Sequence, residues 1–127
     1  MSAIRYLNTD LDIACPEDPK LLTKGLKKAG LHAVNVPQLS DGLWIANFET
    51  NKQFKESATC VAAILDAIAK LSGDALLQLQ SCTLRECNIG FEGGANPQSV
   101  GQKLPVELLE RMAKTGISLG ITIYTSE

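Results

Sequence analysis

The sequence has little of several residue types on which common functions depend. Among 127 residues there is one histidine, His32, and aromatic residues make up only 5%. A single histidine excludes most zinc sites, and His-dependent catalysis would have to use that one imidazole. Positive charge is not in excess either, because 12 Lys and Arg face 14 Asp and Glu and the net charge is −2. Nucleic-acid and membrane-surface proteins usually carry a basic excess, so we expect neither kind of partner.

Long apolar runs and export signals are scarce as well. The most apolar segment, residues 61–71, is interrupted by Asp66 and Lys70 and is shorter than the ~20 residues that a membrane helix needs. Residues 1–6 lack the basic and apolar regions of a secretory signal. We therefore expect a cytoplasmic protein, and the length predicts a single domain over residues 1–127.

The four cysteines show no motif of a metal site. Cys15, Cys60, Cys82 and Cys87 include no C-x-x-C pair, which structural zinc sites commonly use. Without an export signal, disulfides are not required, and we predict four reduced, structural thiols. We expect no cofactor and assign no metal site.

Hydrophobic periodicity predicts a mixed α+β protein. Alternation of apolar and polar residues is typical of half-buried strands, whereas apolar residues three and four apart are typical of helices. The predicted order is βαββα(α)βαβ. Strands are predicted over residues 4–15, 31–36, 43–49, 84–91 and 117–124, helices over residues 19–29, 57–71, 74–80 and 105–115, and a turn over residues 37–42 with Asp41-Gly42 at its tip.

The first elements fit a ferredoxin-like (split βαβ) sheet, followed by a C-terminal βαβ-like tail. In that arrangement the first strand lies between the third and the fourth. Each helix has one apolar stripe, so all helices are expected on one face of the sheet. The other face would collect the polar side chains of the alternating strands, including Tyr6, and could stay in contact with water.

Five residues on that polar face form the candidate binding face. They are Asn8, Asp10, Asp12, Glu86 and Asn88. Carboxylates two residues apart on a strand share a face at roughly 6.5–7 Å, and their oxygens are suited to a divalent cation or to acid–base chemistry. Plain solvation, or contact between subunits, explains the same residues. No catalytic residue is assigned.

A polar loop over residues 92–103 precedes the last predicted helix. A helix N-terminus can bind an anion, but the loop lacks the G-K-[ST] ending of a P-loop and the G-x-G-x-x-G spacing of a dinucleotide site. Its length and composition favour a surface loop.

Two resemblances bear on function. Residues 7–12 (LNTDLD), 42–50 (GLWIANFET) and 84–91 (LRECNIGF) resemble a family of short bacterial proteins to which no activity is attached. Residues 21–36, which begin Leu-Leu-x3-Leu-x3-Gly-Leu, are similar to the opening βαββ unit of ACT-type regulatory domains. The second resemblance implies binding of an amino acid or another small ligand at a subunit interface.

The sequence thus favours a non-enzymatic binding module that acts as a small homo-oligomer, in an immunity- or adaptor-like role towards a protein partner. The alternative is an ACT-like sensor of a small ligand, near the polar face or the loop over residues 92–103. An enzyme that uses Asp10, Asp12 and Glu86 is the least favoured hypothesis, and it requires these carboxylates to converge in a cleft.

Overall fold

The protein is described from a computed structural model that covers residues 4–94 and 100–125. Within these residues it contains six strands and four helices, so the predicted α+β class is confirmed. In chain order they are β1 (Arg5–Cys15), α1 (Lys20–Lys28), β2 (Leu31–Ala33), β3 (Gln38–Ser40), β4 (Leu43–Thr50), α2 (Ser57–Ala69), α3 (Gly73–Ser81), β5 (Leu84–Gly93), α4 (Val106–Thr115) and β6 (Ser118–Thr125). None of these helices combines the length and the apolar character needed to cross a membrane.

All six strands belong to one sheet, in the order β2-β4-β1-β5-β6, with β3 also beside β4. The long central strand β1 pairs antiparallel with β4 on one side and with β5 on the other. The predicted position of the first strand is therefore confirmed. Strand β6 runs parallel to β5, and such a connection requires a crossover, which α4 supplies.

The core lies between one face of the sheet and the helices. On β1 the side chains of Thr9, Leu11 and Ile13 are buried, and on β4 Ala46 and Phe48 are buried. Every helix contributes to the same cluster of buried residues, through Leu22 and Leu26 of α1, Val61, Ile64, Leu65 and Ile68 of α2, Leu79 of α3, and Leu108 and Met112 of α4. The helices therefore cover one face, and the alternate residues of the central strands point away from them.

The predicted turn over residues 37–42 is wrong in extent, although its tip is confirmed. Only Asp41 and Gly42 form the turn, with φ angles of 51° and 81°. Positive φ at both positions is the geometry of the two-residue hairpin turn that matches strand twist. Because the turn is this tight, β3 can pair with β4 directly before it, and Ser40 lies opposite Leu43.

The prediction that Tyr6 points to the polar face is wrong, because β1 contains a β-bulge. The pairing of β1 with β5 shifts between Tyr6 and Asn8, and an extra residue reverses the side to which the preceding side chains point. The Tyr6 ring packs against the core and meets Phe91 edge-on, with the ring centroids 5.9 Å apart. Its hydroxyl lies 2.7 Å from Oγ1 of the buried Thr9. Tyr6 is consequently not a member of the polar face.

The prediction of four reduced thiols is wrong for two of them. A disulfide joins Cys15 at the end of β1 to Cys82 directly after α3. The two ends meet because Thr83 donates a backbone hydrogen bond to the Ala14 carbonyl, a proximity across 67 residues that cysteine spacing alone does not reveal. Disulfides are typical of oxidising compartments, so the predicted cytoplasmic location finds no support in this pair.

The other two cysteines, Cys60 and Cys87, are free and buried. Burial raises the pKa of the Cys87 thiol to about 12. Because the thiolate is the nucleophilic form, this environment suits a small core residue rather than a reactive one.

Candidate functional site

The five predicted residues lie together on the face that the helices leave uncovered. Asn8, Asp10 and Asp12 alternate along β1, and Glu86 and Asn88 lie beside them on β5. Asp10 is directly opposite Asn88, and Asp12 is directly opposite Glu86. Strand β4, on the other side of β1, adds Asn47 and Glu49. These seven residues are called the polar face below.

The register places the polar face in rows that cross the sheet. In one row, His32 of β2 lies opposite Glu49 of β4. The row continues across β1, β5 and β6 with Asp10, Asn88 and Gly120. The neighbouring row is made of Asn47, Asp12, Glu86 and Ser118. Adjacent strands are about 4.8 Å apart, so the rows bring acids and amides close without enclosing them.

Amide side chains hold the carboxylates in place. The Asn8 side-chain amide donates to Oδ1 of Asp10 at 3.0 Å and to Oε2 of Glu49 at 2.7 Å. The Asn47 amide donates to Oδ1 of Asp12 at 2.8 Å. Each Asn therefore fixes the direction of acceptor groups that remain within reach of the solvent.

Two of the carboxyl groups have perturbed acidity. Partial burial, followed by the negative charges of Glu49 and Asp12, raises the pKa of Asp10 to about 7. Burial also raises the pKa of Asp12, while the hydrogen bond from Asn47 opposes that shift. Like charges at close range disfavour the ionised form, so the raised pKa of Asp10 reflects partial burial together with the negative charge around it.

His32 contacts this face from the neighbouring strand β2. Its Nε2 lies 3.8 Å from Oε1 of Glu49, and its Nδ1 lies 2.8 Å from Oδ1 of Asn51. The candidate binding face predicted from the sequence does not include Glu49. Only the pairing of β2 with β4 reveals this contact.

Arg85, a neighbour of Glu86 in sequence, does not compensate the polar face. It points to the other side of β5, where its guanidinium donates to the carbonyls of Gln80 at 2.9 Å and of Gly116 at 3.1 Å. These carbonyls lie at the C-terminal ends of α3 and α4, where cations are favourable. Arg85 therefore stabilises the C-terminal ends of α3 and α4.

Glycine in β6 makes room for two members of the polar face. A Cβ atom on Gly120 would be 2.7 Å from Cδ of Glu86 and 2.9 Å from Nδ2 of Asn88. Both side chains thus lie across the backbone of β6. The polar face consequently extends to the edge of the sheet.

The geometry differs from a catalytic cleft. Asn8 and Glu49 line a small cavity of about 50 Å³ together with Tyr6 and Phe54, but Asp10, Asp12 and Glu86 project from the sheet outside it. In the described part of the chain, no three His, Cys, Asp or Glu residues are arranged to hold a metal ion. The arrangement is suited to contacting a surface or a cation rather than to enclosing a substrate.

Within the predicted loop over residues 92–103, residues 95–99 lie outside the described ranges. At its far end, Oε1 of Gln102 accepts a hydrogen bond from the backbone N–H of Ser57 at 2.6 Å. That contact satisfies one of the free N–H groups at the start of α2. The surface loop stays a prediction, and the anion site before α4 stays its alternative.

No family model, no curated protein and no solved structure matches this chain.

Proposed function

We propose that the chain is a non-enzymatic binding module that acts as a small homo-oligomer and contacts a protein partner through its polar face. The scaffold is a ferredoxin-like sheet to which α4 and β6 are added next to β5. An immunity- or adaptor-like role fits such a module, because the contact surface consists of rigid strands rather than of loops.

One observation supports this proposal above the others. Four carboxylates, those of Asp10, Asp12, Glu49 and Glu86, lie on adjacent strands of an uncovered sheet face, with amides between them. Partial burial, and after it repulsion from Glu49 and Asp12, raises the pKa of Asp10. A cationic partner would relieve that repulsion, so the face is complementary to basic side chains.

Arginine is the side chain that this face suits best. Its planar guanidinium binds carboxylates in a bidentate manner and also donates to amide oxygens. Rows of acceptors spaced along β1 and β5 match alternate side chains of an extended basic segment, since both repeat every two residues.

A titration with a hexa-arginine peptide tests the proposal. The double variant Asp12→Asn/Glu86→Gln removes two charges from the polar face and is expected to weaken binding about tenfold, the equivalent of one charge-assisted hydrogen bond. The matched control Asp41→Asn/Glu56→Gln removes the same charge from the hairpin tip and from the residue before α2. Isothermal titration calorimetry at low salt measures both.

The proposal fails if the peptide does not bind the wild-type chain, or if the control weakens binding as much as the test variant does. Free L-arginine forms a second arm of the experiment. Saturable binding of the free amino acid, with no gain from the peptide, would favour the ACT-like sensor instead.

A further inference from the structure

We propose that two copies of the chain pair through the outer edges of β6, about a two-fold axis, and so join two six-stranded sheets into one of twelve strands. This inference rests on the proposed self-association and names the surface responsible for it. The partner is a second copy of this chain.

Strand β6 is an edge without the usual protection. It pairs with β5 on one side and lies at the end of the sheet order. Its eight residues, SLGITIYT, include no charged residue and no proline. Natural edge strands usually carry a lysine, a proline or a bulge, or they are very short, because an open edge pairs readily with another strand.

The side of β6 that should belong to the core is exposed. Leu119, Ile121 and Ile123 lie opposite Cys87, Ile89 and Phe91 of β5, respectively, and therefore face the helices. Cys87 and Ile89 are buried, yet Ile121 is 62% exposed and Ile123 is 63% exposed. The helices thus cover β5 and leave β6 bare. A β-branched strand with an apolar, uncovered face is a typical interaction surface.

The helix that precedes β6 exposes apolar side chains as well. Val106 and Leu109 are exposed apolar residues of α4. Two charged side chains of α4 pair within the chain, since Lys114 lies 3.4 Å from Glu110 and Arg111 lies 2.8 Å from Asp66. Antiparallel pairing of β6 with its copy requires a two-fold axis perpendicular to the sheet, so the helices of both copies lie on the same face of the joined sheet.

Other ways of self-association are less favourable. Stacking two polar faces would bring Asp10 and Asp12 of one copy against the carboxylates of the other, and like charges repel. The opposite edge of the sheet offers only β2 and β3, of three residues each. The uncharged β6 has neither problem.

The apolar residues also define the register of the pair. Opposed residues of antiparallel strands point to the same face. Placing Ile121 opposite its own copy sets Leu119 opposite Ile123 of the other chain and keeps all the exposed apolar side chains on one face. In this register Thr122 lies opposite Gly120 of the other chain. Cysteines placed at position 122 of both chains would therefore be too far apart for a disulfide, which needs Cα atoms less than about 7 Å apart.

Light scattering on the full chain tests the surface. We expect the wild-type mass to be twice the chain mass of 13.6 kDa. Ile121→Lys should return it to the mass of one chain, because a lysine on the edge places two like charges at the axis. Leu77→Lys is the matched control, since Leu77 on α3 has the same exposure of 62% and should leave the dimer intact.

Cysteine cross-linking tests the register without destabilising the pair. Ile121→Cys is expected to form a covalent dimer on mild oxidation, visible on a non-reducing gel, whereas Thr122→Cys is not. A cross-link through Thr122→Cys in place of Ile121→Cys would overturn the proposed register.

The outcomes separate this inference from the proposed function. A monomeric wild-type chain rejects both the self-association and the edge pairing. A wild-type dimer that persists in a folded Ile121→Lys variant rejects only the pairing through β6. Loss of the dimer in both lysine variants also rejects it, because the effect would then not be specific to the edge.

Discussion

Asp10 shows how a single residue makes the polar face sensitive to pH. Its pKa of about 7 in the folded chain lies above the value of about 4 expected in the unfolded chain. The folded state therefore binds a proton more tightly. The contribution of Asp10 to stability is fully present below about pH 4, and it is lost as the pH rises through about 7.

Replacing Asp10 by Asn should remove this dependence. Because Asp10 is only half-buried, solvent screening reduces the effect, and we expect Asp10→Asn to raise the free energy of unfolding by roughly 1–2 kcal/mol near pH 8 relative to wild type. Near pH 5 the difference should be small. Urea denaturation at both pH values measures it, with Asp41→Asn as the control; a difference independent of pH would contradict the assignment.

Gly25 is important for packing because it has no side chain. A Cβ atom at this position of α1 would be 2.9 Å from Cδ2 of Leu71 and 3.1 Å from Cβ of Ala75. Alanine improves helix propensity by about 1 kcal/mol, but overpacking costs about 1–3 kcal/mol. We expect Gly25→Ala to lower the free energy of unfolding by about 1 kcal/mol, measured by denaturant titration. The exposed Lys24→Ala in the same helix should cost nothing, and a stabilised Gly25→Ala chain would refute the close contact.

The sequence predicts some residues of the polar face and misses others, for a physical reason. Asn8, Asp10 and Asp12 follow from alternation along one strand, which depends only on local geometry. Tyr6 is misplaced because a bulge shifts the alternation by one residue. His32 becomes part of the arrangement only through the register of β2 with β4, and register is a long-range property.

Among the elements, the link between β1 and α3 is open to direct test. The disulfide between Cys15 and Cys82 spans 67 residues, and closing a loop of that length in the unfolded chain contributes about 2–4 kcal/mol. Reductant should lower the free energy of unfolding by this amount in a denaturant titration. The variant Cys15→Ala/Cys82→Ala should be less stable than the oxidised wild type and insensitive to reductant; a wild-type chain that is equally insensitive would argue against the bond.

Prediction succeeds best for elements whose pattern is long. The helices α2 and α4 have clear apolar stripes and begin or end within two residues of the predicted positions. Strand β3 has three residues, too few to show any alternation, and it exists because the tight turn at Asp41 and Gly42 aligns it with β4.

For the whole molecule, the net charge of −2 conceals a separation of charge. Acidic side chains gather on the open sheet face, while Lys24, Lys27 and Lys28 lie exposed on α1, which belongs to the covered side. The central position of β1 could be predicted because the helix and hairpin connections allow few strand orders. The bare face of β6 could not, because it depends on where α4 packs.

The disulfide also determines how the parts of the chain are covalently connected. Residues 15–82 form a covalent ring that includes α1, the hairpin of β3 and β4, α2 and α3, whereas most of β1 and the whole β5-α4-β6 unit hang from it as two tails. A single cut of the backbone at the exposed turn of Asp41 and Gly42 would open this ring without separating the molecule into two pieces. Both central strands of the polar face, β1 and β5, would remain tethered to each other at the point where the ring closes.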